Sequence, residues 1–317
     1  MELISQPLAA GARRAGGVIP GNPPHPACSY HVPSPSQIPV LIAVPHAGRA
    51  YPDALLDAMH NPGVAVLRLE DRLADLLAEQ VAAATGAAVL VAHAPRAMID
   101  LNRAPDEVDW AMFAGDAPAA SSNQPVSRRV RNGLGLIPRR LSGLGELWKA
   151  RHQLDDLEAR IAGVHAPYHH AIETILSTLR KRWGAALLID LHSMPPLVQD
   201  GRDAAHYVIG DRFGAACHGR LTGAAFHYLA SAAVRHAHNR PYAGGYVLER
   251  HADPAAGIHA IQLEVDRSCY LDRHLAQPGA GFDQVVATIT GLVQRLANET
   301  AELGQDGFQR SWQDAAE

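Results

Sequence analysis

Five short, almost wholly apolar runs constrain the fold of this chain more than any other feature of its sequence. They read IPVLIAV (38–44), AVLVA (88–92), AMIDL (97–101), ALLIDL (186–191) and IHAIQLEV (258–265). Runs of this length without polar alternation are typical of strands that are buried on both faces. The sequence therefore predicts an α/β protein with a mostly parallel or mixed central sheet and helices on both faces.

Helices are predicted where apolar residues recur every three or four positions. One such pattern covers residues 69–81, and another covers residues 282–302. Between residues 144 and 183 the pattern indicates two helical segments, broken near Ala166-Pro167 because proline lacks the N–H that a helix interior needs.

The two ends of the chain differ from its middle. Residues 1–37 are rich in Gly, Pro, Ala and Ser, and we interpret them as a loose leader. Residues 304–317 are polar and are interpreted as a frayed tail. We therefore expect a single catalytic α/β domain over residues 38–303.

Charge, hydropathy and cysteine content argue against several classes of protein. The net charge is −4 with no long basic block, so nucleic acid is not an expected partner. No apolar run reaches the roughly 18 residues of a membrane span, and no secretory signal stands at the start, so we expect a cytoplasmic protein. The three cysteines, Cys28, Cys217 and Cys269, are too scattered for a thiolate zinc site. No pattern indicates an oligomeric state.

Three polar residues stand where apolar runs end. His46 follows the first run, His192 follows the run 186–191, and Glu264 lies near the end of the run 258–265. Parallel α/β sheets bind their ligands beyond the carboxyl ends of the strands. This placement is the first indication of a functional site.

The same residues suggest a metal centre. A catalytic zinc usually has three protein ligands and one open position for water. His46 and His192 supply imidazoles, and the segment LEDRLAD offers Glu70 or Asp71 as a carboxylate. Asp190 lies on the same side of its strand as His192 and could accept its second N–H. The acidic pair could equally serve only to stabilise a helix N-terminus.

Six motifs in order resemble those of one family. They are PHAG (45–48), ED (70–71), IDLNR (99–103), DLHS (190–193), GGY followed by ERH (244–251) and HAIQLE (259–264). Together they resemble the N-formylglutamate amidohydrolase family, which is similar in fold to the zinc carboxypeptidases and desuccinylase-type deacylases. The resemblance extends from about residue 39 to residue 272.

This resemblance implies a role for several residues. One Zn²⁺ per chain would be held by His46, His192 and an acidic residue of the ED pair, with Asp71 favoured and Glu70 as the alternative. Glu264 would be the catalytic carboxylate.

The resemblance also implies how the substrate would be held. Its substrate-binding and pocket residues would be Asn102, Arg103, Arg240, Gly245 and Arg250. Arg96 is a further candidate for a catalytic residue, beside Glu264. Arg240 and Arg250 could equally be surface residues.

The implied reaction is hydrolysis of the formyl amide of N-formyl-L-glutamate, a small acidic N-acyl amino acid, to formate and L-glutamate. One alternative is a zinc amidase or carboxypeptidase-like hydrolase that acts on another acidic N-acyl amino acid. The other is a non-catalytic binding protein on the same fold. The segment NRPYAGGYVLERH departs from the family at Pro241 and Tyr242, which concerns the substrate region rather than the metal.

Overall fold

The computed structural model describes residues 11–115, 127–197 and 204–314. Its strands are β1 (Arg14–Gly16), β2 (Cys28–His31), β3 (Val40–Val44), β4 (Ala88–Ala92), β5 (Arg140–Leu141), β6 (Gly145–Glu146), β7 (Ala186–Met194), β8 (Tyr207–Gly210), β9 (His236–His238) and β10 (Ile258–Asp266). Its α-helices are α1 (Asp53–Asp57), α2 (Pro62–Leu69), α3 (Ala74–Thr85), α4 (Arg128–Arg131), α5 (Leu154–Arg160), α6 (Ala166–Trp183), α7 (Gly219–Ser231), α8 (Tyr246–His251) and α9 (Phe282–Asp314).

Eight strands form one mixed sheet in the order β1-β2-β4-β3-β7-β10-β8-β9. The four central strands β4, β3, β7 and β10 are parallel to their neighbours within this group. Antiparallel pairing begins outside them, where β2 joins β4 and β8 joins β10. The predicted fold class is confirmed, and β5 and β6 form a separate small hairpin.

Helices cover both faces of this sheet. Along β3, Leu41 and Ala43 face a core that contains apolar residues of α6, such as Ile172. The alternate residues, such as Ile42, face a second core built with α3, α7 and α9. Because both faces are covered, the central strands carry no polar alternation, which is why they appear in the sequence as continuous apolar runs.

Secondary structure begins ahead of the predicted domain start. Within residues 1–37, interpreted above as a loose leader, β1 pairs with β2 and β2 pairs with β4. Cys28 is fully buried there. The added strands satisfy backbone groups that would otherwise be unpaired at the edge of β4. The division of the chain into domains stays a prediction.

Two predicted elements are wrong in type or extent. Residues 97–101 form turns instead of a strand, since the N–H of Met98 bonds to Pro95 and that of Asp100 bonds to Leu136. The helix predicted over 69–81 begins only at α3, because Leu73 adopts a left-handed conformation with φ 61°. Glu70 and Asp71 consequently lie in the connection between α2 and α3.

The remaining helices differ from the prediction at their ends. The region 144–183 begins with a short strand, and α5 then continues through a π-helical turn at Ile161–His165 into α6. Pro167 directly follows the π-helical turn, where the regular i→i−4 hydrogen-bond pattern is already altered. Helix α9 continues past 302 into the predicted frayed tail, as far as Asp314. Gly304 lets it approach Trp183, since a Cβ there would lie 2.0 Å from that carbonyl oxygen.

No helix among the described residues is long and apolar enough to cross a bilayer. The cytoplasmic location stays a prediction.

Candidate metal centre and active site

Three side chains from distant parts of the chain meet at the carboxyl end of the sheet. His46 follows β3, Asp71 lies between α2 and α3, and His192 lies in β7. One ligand atom from each falls within 4.8 Å of the others, and the residues are only 2, 2 and 4% exposed. The structure thus brings the two histidines that the sequence singled out together with one residue of the acidic pair.

The local sequence lets His46 reach this point. Gly48 packs so closely against the segment after β4 that a Cβ would lie 2.1 Å from the carbonyl oxygen of Ala94. Any other residue would push the loop after β3 away from the sheet.

Two carboxylates orient the imidazoles. Nε2 of His46 lies 2.7 Å from Asp100, and Nε2 of His192 lies 2.9 Å from Asp190. Since each Nε2–H donates to its carboxylate, both Nδ1 atoms are turned toward Asp71, at 3.6 and 3.0 Å from its Oδ2. The role suggested for Asp190 agrees with this geometry. Asp100 was missed, although it stands in the IDLNR motif.

The geometry distinguishes Asp71 from Glu70. Oδ1 of Asp71 accepts from Arg267 at 3.2 Å and from Ser193 at 3.3 Å, which leaves Oδ2 to face the imidazoles. The carboxylate of Glu70 instead pairs with Arg72 at 2.9 Å. The sequence analysis did not predict that Arg267 and Ser193 bond to Asp71. Their position in the sequence gives one indication, since Ser193 ends the DLHS motif and Arg267 closely follows HAIQLE.

These three donors fit a cation. Nδ1 of His46 is fully buried and has no hydrogen-bond partner among the described residues. Burial alone would raise the pKa of Asp71, but the neighbouring imidazoles of His192, which donates to it, and His46 outweigh burial and hold that pKa well below the usual value. Burial would likewise lower the pKa of His192, but Asp190 and Asp71 raise it well above the usual value. The carboxylates of the site therefore stabilise positive charge on the imidazoles, and they would stabilise the charge of a divalent metal ion in the same way.

Glu264 lies beside this centre without joining it. It pairs with His192 in the register of β10 and β7, and it is 5% exposed. Gln262 donates a hydrogen bond to it at 2.7 Å. Burial raises its pKa to about 7, and the charge of Asp71 adds to this effect against the opposing charge of His192. A buried carboxyl with such a pKa can both accept and release a proton near neutral pH.

The structure brings Arg96 to the centre. Its guanidinium pairs with Asp100 at 2.9 Å, and the charges of Asp100, Asp71 and Glu264 raise its pKa against the effect of burial. The side chain of Arg96 as a whole remains 22% exposed.

Arg103 and Asn102 are turned into the protein. Arg103 donates to the main-chain oxygens of Leu134 at 2.9 Å and Asn102 at 2.7 Å. Nδ2 of Asn102 lies 3.2 Å from Nε2 of His192, and its Oδ1 accepts from the N–H of Val247 at 2.9 Å. A Cβ on Gly245 would approach that Oδ1 to 2.4 Å, so a glycine is needed at this position.

Arg240 and Arg250 are both exposed, and neither contacts the three metal-site donors among the described residues. Arg250 instead donates to the hydroxyl of Tyr246 at 2.9 Å. Tyr242, which the sequence marked only as a departure from the family, lies near enough for the charge of Glu264 to raise its pKa further after burial.

A second group of possible ligands consists of His206, Asp266 and Cys269. The guanidinium of Arg235 already contacts Nε2 of His206, and Oδ1 of Asp266 accepts from Ser268. Arg235 and the turn at Ser268 thus already use part of this donor set. In the first group, by contrast, Nδ1 of His46 has no hydrogen-bond partner among the described residues.

Comparisons with known proteins place this chain in a family. The model of the family described as N-formylglutamate amidohydrolase matches residues 38–271. The N-formylglutamate deformylase of Pseudomonas putida is 28% identical over 86% of this chain and 96% of its own length. The enzyme of the same name from Pseudomonas aeruginosa is 28% identical over 74% of this chain and 83% of its own length.

Solved structures show the same fold. A crystal structure of N-formylglutamate amidohydrolase from Ralstonia eutropha superposes with a TM-score of 0.79 at 26% identity, covering 87% of this chain and 99% of that one. A gene product of Agrobacterium tumefaciens superposes with a TM-score of 0.62 at 17% identity, covering 87% and 94%. This chain belongs to the N-formylglutamate amidohydrolase family, and it is an amidohydrolase that acts on carbon–nitrogen bonds.

Proposed function

We propose that this protein hydrolyses the formyl amide of N-formyl-L-glutamate to formate and L-glutamate, with one zinc ion per chain held by His46, Asp71 and His192. The convergence of two oriented Nδ1 atoms and one carboxylate oxygen beside the separate carboxyl of Glu264 carries this proposal. The names of the Pseudomonas relatives supply the substrate.

The donor set suits zinc because two imidazole nitrogens and a carboxylate oxygen are a common catalytic combination for it. When bound, zinc supplies a Lewis acid and lowers the pKa of a water molecule toward about 7.

Glu264 would move the proton of the reaction. Its carboxylate takes a proton from the attacking water as the new C–O bond forms at the formyl carbon. It then returns this proton to the amide nitrogen as the C–N bond breaks, so that formate and the amino group of glutamate leave.

Arginine side chains would hold the negative charges of the substrate. Arg96 lies beside Asp71 and Glu264, where it can stabilise negative charge that develops on the formyl oxygen. We assign the substrate carboxylates to Arg240 and Arg250, whose planar guanidinium groups suit bidentate pairing. Arg103 would add a single hydrogen bond through Nη2, because its Nε and Nη1 donate to main-chain oxygens. Asn102 and Gly245 would shape the same pocket.

Two alternative functions would use the same site. A different acidic N-acyl amino acid would require the same metal and the same Glu264, since only the acyl group or side chain changes. A binding protein without catalysis would not require Glu264 to be kept buried beside the metal ligands.

An assay that measures release of the free amino acid from N-formyl-, N-acetyl- and N-succinyl-amino acids tests the proposal. We expect turnover of N-formyl-L-glutamate, about one zinc per chain, and loss of turnover on chelation. His192→Ala should lose the metal, whereas His170→Ala, at an exposed position of α6, should keep both metal and activity. Turnover of only another acyl class would support the alternative substrate, and no turnover of any compound would contradict the proposed reaction.

A further inference from the structure

Three buried histidines outside the metal centre form a connected group behind one loop. His165 ends the π-helical turn that precedes α6, and His169 lies one turn later, in α6 itself. His251 is the last residue of α8. The three histidines are 2, 0 and 8% exposed. The loop, called here the DLNR loop, consists of residues 100–103.

Two of these imidazoles hold the main chain of the DLNR loop. Nε2 of His169 lies 3.0 Å from the carbonyl oxygen of Leu101, and Nε2 of His165 lies 3.0 Å from that of Arg103. A carbonyl oxygen can only accept, so both Nε2 atoms carry a proton and donate it. The two hydrogen bonds thus grip the loop on both sides of Asn102.

The third imidazole sets the tautomer of His169. Nδ1 of His169 lies 2.9 Å from Nε2 of His251. Burial lowers the pKa of His169 well below its usual value and that of His251 to about 3, so both rings are neutral at neutral pH. Since the proton of His169 is on Nε2, its Nδ1 must accept, and His251 must donate to it.

The loop that they grip touches both imidazoles of the metal centre. Asp100 accepts from Nε2 of His46 at 2.7 Å. Asn102 lies 3.2 Å from Nε2 of His192. Nε2 of His192 already donates to Asp190, so Asn102 meets that ring through packing and Asp100 holds His46 through a hydrogen bond. A shift of this loop would therefore change the direction of Nδ1 of His46 and disturb the packing beside His192.

We infer that His169, hydrogen-bonded to His251, is a positioning residue that holds the DLNR loop. In this position, Asp100 orients the imidazole of His46 and Asn102 packs against that of His192. The inference rests on the proposed metal centre, and it adds to that centre a hydrogen-bonded support that reaches from α8 through α6.

A plain packing role for His169 makes a different prediction from this inference. If His169 only fills space, an apolar residue of similar size should serve as well as any other. If its N–H holds the loop, only a side chain that donates from the same place can replace it. Glutamine can place its Nε2 near the position of the histidine Nε2, and leucine offers no donor.

The experiment measures zinc affinity without substrate, by competition with a chromophoric chelator, in His169→Leu and His169→Gln. We expect His169→Leu to bind zinc about 10- to 100-fold more weakly, the usual effect of losing a partner that orients a ligand. His169→Gln should bind near the wild-type value. The visible spectrum of bound Co²⁺ should change in the leucine variant and be restored in the glutamine variant.

His31→Leu is the matched control, because His31 is 2% exposed in β2 and outside this group. Equal loss of affinity in His31→Leu would show a general packing effect and overturn the inference, as would wild-type affinity in His169→Leu. If His169→Leu does not fold, His251→Leu keeps His169 in place and should weaken zinc binding to a smaller extent. Unchanged affinity in that variant would overturn the inference.

The same data separate this inference from the proposed substrate. A wild-type protein that binds zinc but releases no formate, with His169→Leu impaired in binding, would retire the substrate and support the positioning role. A wild-type protein that releases formate, with His169→Leu equal to it in zinc affinity, would remove the positioning role alone.

Discussion

At the scale of single residues, the centre depends on which ring nitrogen each histidine commits. Asp100 and Asp190 each engage an Nε2, and this leaves both Nδ1 atoms directed at one oxygen of Asp71. By accepting from the two Nε2–H groups, Asp100 and Asp190 determine that the Nδ1 atoms are the ones available to a metal.

Glu264→Gln tests whether proton transfer and metal binding are separate functions. Glutamine keeps the size of the side chain and removes the carboxylate that accepts the proton. We expect kcat to fall about 10²- to 10⁴-fold with the zinc content unchanged, measured by formate release and metal analysis.

Glu249→Gln is the control for that change, because Glu249 is an exposed residue of α8 that pairs with Arg212 at 2.8 Å. It should leave kcat unchanged. Full activity in Glu264→Gln would remove this carboxyl from the reaction.

At the scale of secondary structure elements, the start of α8 meets the DLNR loop closely. Gly245 precedes α8, and the N–H of Val247 donates to Asn102. Because the side chain of Asn102 also lies against His192, the packing of α8 is coupled to the metal centre.

Gly245→Ala tests this close packing. The added Cβ would lie 2.4 Å from Oδ1 of Asn102, whose hydrogen bonds prevent easy movement. We expect the free energy of unfolding to fall by about 1–3 kcal/mol, measured by urea denaturation, and zinc binding to weaken.

Gly223→Ala is the matched control inside α7. Its Cβ would meet nothing within 4 Å, so alanine should stabilise the helix by about 0.5–1 kcal/mol. A Gly245→Ala variant as stable as wild type would show that α8 and the DLNR loop can separate freely.

At the scale of the whole molecule, folding buries several histidines in their neutral form. His259, 3% exposed near the start of β10, has its pKa lowered to about 4 by burial and then by the charge of His218. The unfolded chain takes up a proton at this residue near pH 6.5, while the folded chain does not. Its contribution to stability is therefore fully present above about pH 6.5 and is lost as the pH falls toward 4.

Comparing His259→Gln with wild type isolates this contribution. The free energy of unfolding of the variant minus that of wild type should rise as the pH falls from about 6.5 to 4, by at most about 1.4 kcal/mol per pKa unit. Urea denaturation at a series of pH values measures the difference, because the other titrating groups are shared. A difference that does not change with pH would show that His259 is protonated in the folded protein.

The α/β architecture and the two histidines of the candidate metal centre follow from the sequence alone. Strands buried on both faces leave continuous apolar runs, and the residues just beyond β3 and within β7 must meet because parallel strands share one carboxyl edge. This was sufficient to place His46 and His192 together. It did not predict β1 and β2, since their short segments lack such runs.

The family resemblance favoured Asp71 over Glu70, but only the tertiary structure shows that Asp71 faces the two imidazoles while Glu70 pairs with Arg72. Neighbouring residues in a connection point in different directions, and the local sequence does not state which one faces the site. The tertiary structure also turned Arg103 and Asn102 inward and placed Asp100 on His46. These contacts join segments that are distant along the chain and depend on how the DLNR loop packs against α6 and α8. The local sequence pattern does not specify such packing, whereas the burial of a strand on both faces is evident from the apolar residues of that strand.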